Sequence, residues 1–155
     1  MNPWRPPPVI QPKVIGLLFQ ERHLFAYEVR SATGQLDGVR PLGGTIHFGE
    51  TREAALHREF AEELGARIET LGGWTAFENI FLFEGQPGHE YLFAAPIRLL
   101  DRELPFHEAV TFTESNGEHC LARWFPLDRL IAGEPALYPN GLRDALLASD
   151  LLDEA

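Results

Sequence analysis

The chain has 155 residues, 45% of them hydrophobic, and a net charge of −10, which suits one compact domain with a substantial core. The acidic balance argues against a nonspecific nucleic-acid binder, which works through a basic surface. A single cysteine, Cys120, excludes an internal disulfide framework and a cysteine-rich zinc site, and points to a reduced, cytoplasmic setting.

The N-terminal stretch MNPWRPPPVIQPK has no apolar run long enough for a leader or a membrane span, and its prolines predict an extended arm over residues 1–13. A domain is expected from 14 to 155. It opens with strands over Val14 to Phe19 and Leu24 to Val29, where Phe25, Tyr27 and Val29 alternate with less apolar neighbours. Gln20-Glu21-Arg22 between them reads as a hairpin turn. Pro41-Leu42-Gly43-Gly44 then supplies two residues without a Cβ, where backbone can turn tightly and approach a ligand.

A helix follows from about Thr51 to Leu64. Thr51 is the expected N-cap, Glu53 favours the positive end of the dipole, and Gly65 fits a left-handed stop. Leu56, Phe60 and Leu64, spaced four apart, give it an apolar stripe. Strands are expected near Ile68 to Phe83, broken at Gly72-Gly73, then over Glu90 to Leu100 and Ala122 to Phe125, with a turn at Gly85-Gln86-Pro87-Gly88. A short helix from about Leu127 to Ile131 precedes a last one from about Asn140 to Leu151, striped by Leu142, Ala145 and Leu146. This order predicts an α+β or α/β sandwich with a mixed sheet, without internal repeats or a dividing linker.

The chemistry is concentrated in GTIHFGETREAALHREFAEELGA, which sets Gly44, Glu50, Arg58, Glu59, Glu62, Glu63 and Gly65 at fixed spacing. On a helix Glu59, Glu62 and Glu63 share one face at i, i+3 and i+4, where like charges repel. They make sense beside a hard divalent ion with oxygen ligands, Mg2+ above all where phosphates share the coordination, with Mn2+ as a substitute. A backbone carbonyl at Gly43 is a candidate to join that shell, Gly43 and Gly44 to approach the substrate, and Arg40 to reach a phosphate. The planar fork of Arg58 suits it to orient Glu59, Glu50 or both. His47, His57 and His89 lack a ligand-like grouping, and Trp74, Phe77, Phe81 and Phe83 read as strand core.

The segment from Gly44 to Ala66 resembles the Nudix box of the Nudix (MutT-like) hydrolases, departing from it only at Phe60 and Ala66, where the family has Ile, Leu or Val. The resemblance implies the αβα Nudix fold with a mixed sheet. It also implies metal-dependent hydrolysis of a phosphoanhydride in a nucleoside diphosphate linked to another group. Glu59, Glu62 and Glu63 would hold the ions, with Glu59 as ligand or as base. The implied partner is a small nucleotide, not nucleic acid or membrane, and a homodimer is compatible with the family.

Family members often add a carboxylate from outside the box. Glu118, in the loop before Trp124, is the first candidate here; Glu114 and Glu90 are alternatives. The chain has no SQPWPFP run, and none of the usual proline or tyrosine markers after Gly65, so ADP-ribose, nucleotide sugars and modified (d)NTPs all stay open. The alternative reading is a catalytically weak nucleotide-binding regulatory module on the same fold.

Overall fold

A computed structural model describes residues 4–155. Strand β1 (Ile10–Gln20) runs parallel to β7 (Gln86–Leu99) from Ile10↔His89 to Leu18↔Ile97, then hairpins into β2 (His23–Arg30) at Phe19↔Leu24. The turn residues Glu21 and Arg22 both take left-handed φ, 48° and 60°, the backbone that matches the twist of the strands it joins. The central path is β5-β7-β1-β2-β9-β8, where β5 is Ile68–Thr70, β8 is Val110–Thr113 and β9 is His119–Pro126. Three strands attach beside this path. β3 (Leu36–Arg40) pairs with β2, β4 (Gly43–Thr45) with β1, and β6 (Thr75–Phe83) with β7.

Alternation along β1 divides the interior in two. Val14 and Leu18 face helix α1 (Arg52–Leu64) and pack with Leu56, Phe60, Phe25 and Trp124. Ile15 and Leu17 face the opposite way, toward Leu127 and Leu130 of α2 (Leu127–Ile131) and Leu142 and Leu146 of α3 (Leu142–Ala148). Helices therefore cover both faces of a mixed sheet, which is the αβα sandwich expected.

Helix α1 begins and ends as its sequence dictates. The Thr51 hydroxyl accepts the Ala54 N–H at 3.0 Å, and Gly65, at φ 61°, returns its N–H to the Ala61 carbonyl. The Phe60 ring, larger than the aliphatic residue usual in the box, is fully buried against a glycine: a Cβ on Gly16 would stand 2.7 Å from Phe60 Cε2. Gly16 is thus the partner that lets this helix carry an aromatic.

Several boundaries differ from expectation. β1 starts at Ile10, so residues 10–13 of the expected arm are strand, paired to His89–Leu92. Pro12 fits because it needs to supply only its carbonyl, which accepts the Ile46 N–H at 2.9 Å. Ahead of it, the Trp4 ring stands edge-on to Phe83 with centroids 5.2 Å apart, and Arg5 pairs with Glu84 at 3.0 Å.

The turn expected over Gly85 to Gly88 is tighter, formed by Glu84 and Gly85 at φ 48° and 80°, and Gln86 to Gly88 already belong to β7. The last helix breaks at Ser149, which is extended; its hydroxyl accepts the Leu151 N–H and starts a 3-10 turn over Asp150–Glu154. β3, β4 and β8, too short or glycine-rich to show a period, were not foreseen. Among the described residues no helix is long and apolar enough to cross a membrane.

Candidate active site

The box folds around Arg58. Its Nε and Nη2 grip the two oxygens of Glu50 at 2.7 and 2.9 Å, Nη2 also donates to the Thr45 carbonyl at 2.9 Å, and Nη1 donates to Glu59 at 2.9 Å and more distantly to Glu62 at 3.4 Å. One guanidinium therefore ties the glycine loop, the loop carboxylate and two helix carboxylates together, orienting both Glu50 and Glu59. Glu50 also accepts the His47 N–H, and this bond, behind the larger effect of Arg58, brings its pKa down to about 2. Glu50 is fully committed to holding the loop.

Gly43 and Gly44 are required by close approach. A Cβ on Gly43 would fall 1.9 Å from the Val14 carbonyl of the neighbouring strand, and one on Gly44 would fall 2.2 Å from Glu59 Oε1. The Glu59 carboxylate thus occupies the space that a side chain at 44 would fill.

Glu59 is buried, Glu62 half-exposed, and Glu63 partly buried with Oε2 shielded from solvent and lacking any hydrogen-bond partner. Burial first, then its contact with Glu59 and the charges of Glu59, Glu114 and Glu62, push the Glu63 pKa up to about 9. With its charge disfavoured among neighbouring carboxylates, Glu63 suits a place beside a positive charge. Among the described residues no three such side chains already converge as a finished cage, since Glu59 is turned toward Arg58. The donor set nevertheless fits a hard divalent ion, with carboxylate oxygens only and one buried oxygen unpartnered.

The remaining predicted residues separate. Glu118 lies exposed in the β8–β9 turn, its own N–H bonded to Asn116 Oδ1 at 2.9 Å. Glu114, which closes the same turn by donating its N–H to the Glu118 carbonyl, is half-buried, and its pKa is raised chiefly by that burial. The Tyr27 hydroxyl and the charges of Arg40 and Lys13 act on it in the opposite sense, and its own charge is felt at Glu63. The turn therefore brings Glu114, rather than Glu118, toward the box.

Glu90 is buried in β7. It accepts Asn79 Nδ2 at 3.1 Å and Arg40 at 3.4–3.5 Å. Arg40 ends β3 opposite Tyr27 and pairs with Glu90 rather than with a box glutamate, and its charge acts on Lys13.

The sequence marks Tyr27 only as an alternating strand residue and does not single out Lys13 or Asn79. For Asn79 a signal existed: in Phe77-Glu78-Asn79-Ile80-Phe81-Leu82 the asparagine is buried while Ile80 and Leu82 are exposed, an inversion of the usual pattern. The histidines join no ligand group; His57 and His89 face Glu53 and Glu78. Trp74 is partly buried beneath the Arg52 guanidinium, 4.7 Å from its ring centre, and Phe77 packs on the α3 side.

A glycine loop and a capped helix thus present arginine-oriented carboxylates at the sheet of an αβα sandwich. The NUDIX domain model matches residues 10–146. The chain belongs to the Nudix family and is a Nudix hydrolase, one of a family that cleaves small nucleotide diphosphates and generally works with divalent metal ions.

Solved structures agree on the fold. The E. coli ORF135 protein is 20% identical with a TM-score of 0.58, covering 90% of this chain and 89% of its own. A MutT NUDIX hydrolase from Burkholderia pseudomallei is 20% identical with a TM-score of 0.56, covering 90% and 97%. The E. coli dihydroneopterin triphosphate pyrophosphohydrolase is 15% identical with a TM-score of 0.54, covering 94% and 99%. No curated protein matches by sequence.

Proposed function

We propose that the chain hydrolyses the phosphoanhydride of a nucleoside diphosphate linked to a further group, such as ADP-ribose, a nucleotide sugar or a modified (d)NTP, with Mg2+ as the resident cation and Mn2+ able to replace it. The observation that supports this most is the shielded, partnerless Oε2 of Glu63 beside Glu59 and Glu62. Those three side chains would hold the cation, with the Gly43 carbonyl as a further oxygen at the loop. When bound, the cation neutralises charge on the diphosphate and acidifies or orients an adjacent water.

The protein's own part is positioning. Arg58 fixes the Glu59 carboxylate, which serves as ligand or base, and locks Glu50 into the loop so that Gly43 and Gly44 keep their close approach. Glu114 takes the auxiliary role for which Glu118 was the first candidate, because it is the half-buried carboxyl whose charge reaches Glu63. The setting this implies is a cytoplasmic enzyme, monomeric or dimeric, acting on a small molecule.

A phosphate-release screen of purified protein with Mg2+ tests the reading, across (d)NTPs, oxidised dNTPs, ADP-ribose, nucleotide sugars and dinucleoside polyphosphates, with Glu63→Gln as control. Release from a preferred substrate, lost in the variant and in EDTA, is expected. Equal rates in the variant would contradict the assigned site.

A further inference from the structure

Beyond the box, the polar groups drawn together between β1, β3, β6 and β7 have an unusual property: their cations are poorly paired. Lys13 lies on β1 opposite Thr45 of the box loop and is partly buried, yet its side chain makes no hydrogen bond or ion pair among the described residues. Arg40, Glu90, Glu114 and Glu59 are near enough for their charges to act on it. Arg40 has Glu90 as its partner, but at 3.4–3.5 Å, well beyond the 2.7–2.9 Å of a good charge-assisted bond.

The same protein closes ion pairs tightly elsewhere, with Arg58 on Glu50 at 2.7 Å and Arg30 on Glu28 at 2.8 Å. Other long contacts, Arg22 on Asp128 at 3.6 Å and Arg58 on Glu62 at 3.4 Å, involve exposed carboxylates, whereas Glu90 is buried. Asn79 holds Glu90 from its other side, donating Nδ2 at 3.1 Å. Cationic donors left loosely paired in this way can be completed by an anionic ligand.

We infer that Lys13 and Arg40 form an anion subsite, beside the carboxylates of the box, that takes a further phosphate of the substrate outside the diphosphate held by the cation. This rests on the proposed hydrolase reading and narrows it: among diphosphate derivatives, the chain selects those carrying an additional phosphate. Two cations set next to an acidic metal site give the substrate a polarity, with its diphosphate at Glu59, Glu62 and Glu63 and its extra phosphate at Lys13 and Arg40. Glu90 then keeps Arg40 in place without neutralising it closely, which makes it a positioning residue.

The test compares a diphosphate substrate with its counterpart bearing one more phosphate, in wild type, Lys13→Met and Lys13→Arg. Wild type is expected to favour the phosphorylated member. In Lys13→Met the ratio of kcat/KM between the two should fall about tenfold or more, mainly through KM, with Lys13→Arg restoring most of it. An unchanged ratio in Lys13→Met would overturn the inference.

Two measurements without turnover separate this from the hydrolase reading. In EDTA, inorganic tripolyphosphate should raise Tm in wild type and in Glu63→Gln but not in Lys13→Met; equal shifts in all three would refute the subsite. The Tm of ligand-free Lys13→Met should equal or exceed that of wild type, because a partly buried charge without a partner has been removed. A clear fall would instead make Lys13 a structural partner of Glu90 or Glu114. A protein that binds tripolyphosphate through Lys13 yet releases phosphate from no substrate would sink the hydrolase reading and leave the subsite standing.

Discussion

The box and the cleft beside it are built on opposite principles. In the box Arg58 holds Glu50, the Thr45 carbonyl and Glu59 at 2.7–2.9 Å, while Glu62 is half-exposed at 3.4 Å and one oxygen of Glu63 is shielded without a partner. In the cleft the Lys13 side chain has no hydrogen-bond or ion-pair partner among the described residues, and Arg40 reaches Glu90 only at 3.4–3.5 Å. A rigid, satisfied framework with a single gap suits a cation that must be held in fixed geometry. Loosely paired cations suit a group that must come and go.

The comparison breaks most visibly at the gap itself. Glu63→Gln and Glu62→Gln should each lower turnover by orders of magnitude while the far-UV signal and cooperative unfolding stay intact, as expected when a ligand rather than a core group is removed.

Arg58→Lys comes next. A point charge cannot span Glu50, the Thr45 carbonyl and Glu59, so activity should fall about 10–100-fold, with weaker metal affinity and a lower Tm. Gly44→Ala attacks the same framework from the loop side by driving a methyl into Glu59, and a comparable loss with the helix intact is expected by steady-state kinetics and circular dichroism.

The third effect is smaller and decides between the two carboxylates of the β8–β9 turn. Glu114→Gln should lower kcat about tenfold or more, while Glu118→Gln, an exposed change, should leave it within about twofold. The reverse order would return the auxiliary role to Glu118.

The smallest effect is thermodynamic. Without metal, Glu63 has its pKa raised to about 9, so between its unfolded value and 9 the native state holds a proton that the unfolded chain has lost. Stability from this group is complete at low pH and is lost as pH rises through that window. Chemical denaturation in EDTA should show wild type weakening from pH 5 to 9 more steeply than Glu63→Gln.

The box was legible because its logic is local. Thr51, Gly65, the i, i+3, i+4 carboxylates and Arg58 all sit within one loop and one helix, where spacing alone fixes which side chains meet. Even there, the reason for Gly44 needed the folded chain, since only the fold shows the Glu59 carboxylate lying where its Cβ would be. The cleft was illegible for the opposite reason. Lys13 lies in a proline-containing stretch that reads as an arm, and it becomes strand only because β7, some eighty residues later, runs beside it.

Likewise β3 and β4 are short and glycine-bearing, so nothing in their sequence set Arg40 beside Glu90, fifty residues away. Glu114 and Glu118 occupy one turn, and which of them points inward is decided by the register of β8 on β9, Thr113↔His119, rather than by residue type.

The central claim is that Glu59, Glu62 and Glu63 hold a divalent cation, and the most direct measurement is a calorimetric titration of Mn2+ into wild type and Glu63→Gln, repeated in buffers of different ionisation heat. The account predicts saturable binding in wild type that displaces about one proton at neutral pH, because Glu63 must give up its own to become a ligand. It also predicts binding at least tenfold weaker, without that proton release, in the variant. Equal affinity and equal proton release in the two proteins would contradict it.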